Sequence, residues 1–424
     1  MKNLKRQAWV VLFTAVGINF LAGLLYIWSI IKAGLKEQYN WTDTQATLPY
    51  TISLIAFVIT MVGIGKLQDV KGPRLPATLS GILMGAGLIL SSLHAHPTLM
   101  ILTFGVITGA GCGISNVATV PPAVKWFPPH KKGMITGVVV AGVALASVFY
   151  SPFTNALINA YGISTTLLVM GIGILVLVVV LSQFLVNPPE GYKPEDVFAS
   201  GNDVAKADDD KIAPVEVDLN WRQLLKRLDF YKLWIMFAFA SAAGLMIIGN
   251  VTTITLEQAG WSGGFMLVAL LAVFNAIGRL LGGAIADKVH HYTMLIIIFA
   301  VAAINMLLFT VYNTPILVSL GFAITGLCYG AGFAVFPTII VSSYGVKNYG
   351  ANYGLIMTAW GAGGIIGPLV AAAIRDSSGA YRAAYFVCCG LLVVALLIAM
   401  TVRFSSKNRP ESINISTSSR ENQQ

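Results

Sequence analysis

Two residues four apart, Asn275 and Arg279, carry the clearest chemical signal in the chain. Both lie within the run LLAVFNAIGRLLGGAIAD, which is otherwise apolar up to its terminal Asp. A spacing of four puts them on one face of a helix. A charge held deep in an apolar span costs about 3 kcal/mol or more, so the default reading of such a residue is functional. Arginine does not shed its proton and presents a planar fork that fits a carboxylate. Arg279 is read as the only charge well inside any apolar run, and no Asp or Glu lies at mid-depth to neutralise it. The missing anion is therefore expected from a ligand, and a carboxylate is the natural choice.

Other chemical patterns in the chain are weaker. GAGCG (109–113) and GAGGIIG (361–367) look like phosphate-binding loops, but both lie in apolar helical runs with no strand before them. Small residues at helical spacing read better as helix-packing surfaces. Cys112, Cys328, Cys388 and Cys389 lie inside apolar segments without zinc-like spacing. KADDDK (206–211) lacks the spacing of a calcium loop. All five histidines, His94, His96, His130, His290 and His291, fall in loops. No metal site and no cofactor are expected. No nucleophile–base–orienter set lies at membrane depth, so no enzyme is expected either.

The elements that must hold Arg279 at depth follow from composition. Of 424 residues 56% are hydrophobic and 11% charged, against about 25% charged in soluble proteins. Mean hydropathy is +0.76. Such a chain cannot cover a water-facing surface, and its long unbroken apolar runs exclude a β-barrel. A spanning helix needs about 20 apolar residues. Spans are predicted at 8–31, 47–65, 75–93, 99–124, 134–159, 164–186, 230–256, 264–286, 293–312, 315–343, 351–374 and 383–403. The fold class expected is an all-α membrane protein of twelve transmembrane helices. Residues 1–186 form an N-terminal six-helix half and 230–404 a C-terminal one. Between them 187–229 forms a polar linker ending in an amphipathic surface segment, and 405–424 a tail.

The net charge of +9 might suggest nucleic acid, but the basic residues cluster in short loops, which is a topology signal. On the side opposite the N-terminus lie only Lys32, Lys36, Arg375 and Arg382; apart from Arg279, the rest of the 27 Lys and Arg lie on the N-terminal side. This places both termini in the cytoplasm.

The chain also repeats. GKLQDVKGPR (65–74) and GAIADKVHH (283–291) each follow the second span of a half, with Asp69 and Asp287 218 positions apart. GAGCG (109–113) aligns with GLCYG (326–330) at 217, and Gly133 and Gly137 align with Gly350 and Gly354 at the same offset. Two tandem parallel halves are a transporter architecture.

The first loop fits G-x-L-x-D-x-x-G-x-R, and on it the chain resembles the major facilitator superfamily. That resemblance implies a gate on the cytoplasmic side, made by Asp69, Arg74 and, in the second copy, Asp287. N-x-x-x-R at Asn275 and Arg279 further resembles the oxalate:formate antiporter branch, where animal monocarboxylate transporters carry D-x-x-x-R. YIWS (26–29), KWFPPHKKG (125–133), CYGAGFAVFP (328–337) and NYGANYG (348–354) resemble the same branch. As a whole the chain is similar to bacterial L-lactate transporters.

The resemblance implies binding aromatics at Tyr26, Tyr329 and Phe333. It also marks departures. Asn116 and Val143 stand where the oxalate carrier has tyrosines, and Trp360 stands where it has a second cation, a lysine. One cation suits one carboxylate, since a second would be left unpaired in a low dielectric. The expected function is secondary active transport of a small monocarboxylate, of the lactate or pyruvate class, by alternating access. Coupling to protons is expected, with Glu257 as the nearest carboxyl. The alternative is an anion exchanger of the oxalate:formate type, because Asn275 cannot titrate and exchange needs no titrating group. Residence in the cell inner membrane, contact with the lipid bilayer and a functional monomer complete the expectation.

Overall fold

A computed structural model describes residues 2–94, 96–128, 132–189, 191–198, 219–286, 289–345 and 349–407. Among these there is no strand. Helix α1 (Lys2–Ala22) passes through a 3-10 turn (Gly23–Ile27) into α2 (Trp28–Tyr39). Then come α3 (Asp43–Lys71), α4 (Arg74–Ser92) and α5 (Pro97–Met100), which runs through a π-helical stretch (Ile101–Thr108) into α6 (Gly109–Lys125). Helix α7 (Lys132–Ser182) completes the first half. The short α8 (Pro194–Phe198) and α9 (Trp221–Leu224) precede α10 (Leu228–Ile248), α11 (Val251–Ala259), α12 (Gly264–Ala286), α13 (His291–Leu308), α14 (Pro315–Tyr344), α15 (Tyr349–Ser378) and α16 (Arg382–Lys407).

Eleven stretches among the described residues are long and apolar enough to cross a bilayer. One of them, Met134–Ser182, has 49 residues. At 1.5 Å per residue that is about 73 Å of helix, more than twice the hydrocarbon core of about 30 Å. At Gly162 the backbone leaves the helical region, with φ +75 and ψ 176. A side chain there would be strained, and glycine is not. Helix α7 is thus two spans joined at a glycine corner, and the crossings number twelve. An even number returns the chain to the end of the bundle where it began, called here the terminal end; the opposite end is the far end.

Within the first half α4 packs on α6 and α7, and within the second α12 packs on α14 and α13 on α16. Between halves α3 meets α15 and α7 meets α12. The second span of each half thus touches the fifth span of the other, as a two-fold pseudosymmetry requires. GAGCG lies in α6 at the α3 contact, where a Cβ on Gly113 would sit 2.3 Å from the Phe57 carbonyl oxygen. That is helix packing, as its sequence suggests.

The amphipathic segment before α10 is shorter than the surface helix expected from sequence. Asn220 and Gln223 close a capping box around the single turn Trp221–Leu224. Leu219 is held by the Tyr344 carbonyl at 3.0 Å and by Asn352 Nδ2 at 3.0 Å. Tertiary contacts to α14 and α15 fix this stretch, so it does not need a long apolar face of its own.

Candidate functional site

The site is built on close contact between α12 and α14. A Cβ on Gly330 would lie 2.0 Å from the Asn275 carbonyl oxygen, and one on Gly278 2.2 Å from the Leu327 carbonyl oxygen. Only glycine allows this approach, which brings Tyr329 and Phe333 beside the turn that carries Asn275 and Arg279. Arg279 Nε donates to Asn275 Oδ1 at 3.0 Å. Its guanidinium lies over the Phe333 ring, 4.9 Å from the centroid, a contact worth about 0.5–2 kcal/mol. A second nitrogen reaches the Tyr26 hydroxyl at 3.4 Å.

Tyr26 comes from the other half. It lies in the 3-10 turn that interrupts the first span. Gly23 allows that turn to press on α7, where a Cβ would meet the Val143 carbonyl oxygen at 2.5 Å. Trp360 on α15 donates from Nε1 to the Tyr329 hydroxyl at 2.6 Å. Its indole sits edge-on to Phe57, with centroids 5.1 Å apart, and to Phe333, 6.2 Å apart. Tyr26 and Phe57 from one half thus face Asn275, Arg279, Tyr329, Phe333 and Trp360 from the other.

The donors left over in this cage define its chemistry. Arg279 is half-buried and, among the described residues, has no carboxylate partner. Two of its five N–H groups are used by Asn275 and Tyr26, which leaves three. Asn275 is fully buried, and its Nδ2 has no hydrogen-bond partner. A buried donor left unmade costs about 1–3 kcal/mol. Aromatic walls, a cation and an orphaned amide form a place for a small anion with one apolar side.

Other expected positions fall elsewhere. Asn116 on α6 is half-buried and, among the described residues, makes no side-chain hydrogen bond to this cluster. Arg74 opens α4 and is exposed; it shares a cleft with Arg6. The Asp69 side chain and all of Asp287 lie outside the described residues. Glu257, on α11, ion-pairs with Arg375 at 2.8 Å near the far end.

One expectation is corrected. Arg279 is not the only cation sheltered within a span. Lys32 is 0% exposed, more buried than Arg279, and pairs with Asp43 at 2.7 Å. Its position near the end of an apolar run, 11 residues before Asp43, makes it look like a loop residue in sequence.

A profile of the Major Facilitator Superfamily matches residues 9–311 and 270–421. The chain belongs to that superfamily. This carrier is 24% identical, over 93% of its length and 91% of the relative's, to the oxalate:formate antiporter of Oxalobacter formigenes. It is 23% identical, over 88% of its length and 87% of the relative's, to monocarboxylate transporter 9 of Rattus norvegicus. A bacterial homologue of the human lysosomal transporter Spinster shares the fold, with TM-score 0.70 and 14% identity over 95% of this chain and 98% of that one. The carrier is thus a multi-pass membrane transporter, not an enzyme.

Proposed function

We propose that the protein is a secondary active transporter of a small monocarboxylate, of the lactate or pyruvate class, working by alternating access. The observation that carries this reading is Arg279 held half-buried without an acidic partner among the described residues, beside the orphaned Asn275 Nδ2. One substrate carboxylate would accept from both. Tyr26, Tyr329, Phe333 and Trp360 would enclose the short carbon chain, and Asn116 would face it from the first half. The relatives named for oxalate, formate and monocarboxylates support the substrate class.

The proposal includes the boundaries read from sequence, with halves at 1–186 and 230–404, linker 187–229 and tail 405–424. It also places the protein as a monomer in the cell inner membrane with both termini cytoplasmic, on the distribution of Lys and Arg. Asp69, Arg74 and Asp287 would gate the cytoplasmic side, and uptake would be coupled to protons through Glu257. A second reading, anion exchange, is favoured by one observation: the partner of Arg279 is Asn275, which cannot titrate.

The test is uptake of labelled lactate into proteoliposomes, with and without an inward proton gradient, beside counterflow with internal lactate. Gradient-driven accumulation supports the first reading. Counterflow without gradient-driven accumulation supports exchange. Neither process with any small monocarboxylate would sink the substrate class.

A further inference from the structure

Six charged side chains drawn from both halves meet at the far end. Within the first half Lys32 is fully buried and paired with Asp43 at 2.7 Å, and Asp43 is 3% exposed. Lys36 pairs with the other Asp43 oxygen, and Thr47 Oγ1 accepts from Lys32 at 3.0 Å. Within the second half Arg375 pairs with Glu257. The remaining bonds cross between halves, except that from Tyr381 to Asn250, which lies within the second half. Lys32 Nζ donates to Asn250 Oδ1 at 2.5 Å. The Tyr381 hydroxyl lies 2.9 Å from Asp43 Oδ1, 3.0 Å from Asn250 Oδ1 and 3.5 Å from Lys32 Nζ. The Asp376 carboxylate accepts from the backbone N–H of Asp43 at 2.8 Å and of Thr44 at 2.9 Å.

This is a cap built from opposite sides. Asp376, on α15, satisfies the open N–H groups at the start of α3, where negative charge is favoured. Three cations, Lys32, Lys36 and Arg375, face three anions, Asp43, Asp376 and Glu257, so the closed cluster carries no net formal charge.

A buried ion pair is weak evidence for stability, since apolar residues of the same volume often hold a core better. It suits a contact that must open to water, because each group is solvated again when the halves part. An apolar seal would instead expose its whole face. Opening the far end must separate Asn250, Tyr381 and Asp376 from Lys32, Asp43 and the start of α3. The Lys32–Asp43 and Lys36–Asp43 pairs lie in one half and can stay intact.

We propose that Lys32, Asp43, Asn250 and Tyr381, backed by Asp376, form the far-side gate of the transport cycle, a polar latch that parts once per turnover. The gate is separate from the Arg279 cage and does not depend on which anion is carried. Tyr381 and Asp376 are its moving contacts; Lys32 and Asp43 are the fixed seat.

The test places a reporter behind the latch. Thr51 lies one turn inward from Thr47 on α3, is 1% exposed, and its hydroxyl has no partner. Thr51→Cys is therefore conservative, and the same chain without it controls for the four native cysteines, all buried. A membrane-impermeant maleimide is applied to right-side-out vesicles. Tyr381→Phe removes the hydroxyl and keeps the ring; labelling of Cys at position 51 should speed up at least fivefold. Asp376→Ala, at an exposed position, should speed it at least twofold. Thermal unfolding of each variant is followed in detergent. Faster labelling with an unchanged thermal transition supports the latch. Rates within twofold of the parent in both variants overturn it. Faster labelling accompanied by loss of the cooperative transition shows general loosening and overturns it too. None of these readouts uses transport, so failure of the substrate reading leaves the test intact.

Discussion

Trp360 Nε1 donates to the Tyr329 hydroxyl at 2.6 Å, and this bond closes one wall of the cage. The indole is 7% exposed and edge-on to Phe57 and Phe333, so it fills this corner with apolar surface. A dicarboxylate would bring a second charge into this apolar corner with nothing to pair it. Lactate and pyruvate should compete with each other for uptake, and oxalate and succinate should not. Trp360→Lys should weaken monocarboxylate uptake about tenfold and let oxalate compete. Micromolar oxalate binding to the unaltered protein would reverse this ranking.

Arg279 offers a fork that a point charge does not replace. Arg279→Ala and Arg279→Lys should each lower uptake by about 100-fold or more, the order expected for losing a charge-assisted bidentate pair of about 3 kcal/mol. Membrane insertion, checked by expression and size-exclusion profile, should be normal. Uptake by the alanine variant within threefold of the parent would end the assignment.

Asn275 accepts from Arg279 Nε and leaves both N–H donors of its amide unmade. Asn275→Asp would place a carboxylate against the guanidinium and compete with the substrate for it. Uptake at neutral pH should fall about tenfold and recover in part as the pH is lowered and the new carboxyl protonates. A flat pH profile, parallel to the parent, would show that position 275 does not face the anion.

Glu257 is the carboxyl proposed for proton coupling, and it pairs with Arg375 rather than with any group of the cage. Glu257→Gln should keep counterflow of lactate while removing most of the stimulation by an inward proton gradient. Undiminished stimulation would move the proton to another group.

Asp69 and Arg74 are proposed to gate the terminal end. Exposed charge pairs contribute about 1 kcal/mol or less and are screened by salt. Asp69→Asn should therefore slow exchange by several-fold and leave equilibrium lactate binding in detergent nearly unchanged. A variant that lost binding while exchanging normally at saturation would place Asp69 in the wrong role.

Gly330 sets how closely α14 approaches α12. With the Asn275 carbonyl oxygen 2.0 Å from where a Cβ would stand, Gly330→Ala must push the helices apart. The expected loss is about 1–3 kcal/mol of stability, as for other overpacked sites, read as a lower thermal transition together with weaker substrate binding. A stable, fully active alanine variant would mean that the contact is looser than it stands here.

Hydropathy and charge are local, so the chain alone determined the spans, the tandem repeat and the isolation of Arg279 in an apolar helix. The predicted break between spans 134–159 and 164–186 falls at Gly162, where the backbone leaves the helical region and turns one helix into two spans. What locality hid was partnership. Lys32 looks like a loop cation until Asn250, 218 positions away, and Tyr381, 349 away, close over it. Tyr26 reaches Arg279 across 253 positions because a 3-10 turn in one half faces α12 of the other. A residue's neighbours across an interface depend on how two helix bundles pack, and no window of sequence contains that distance. What the cage can bind and what can open the far end were therefore decided by tertiary structure, because both arise where the two halves meet.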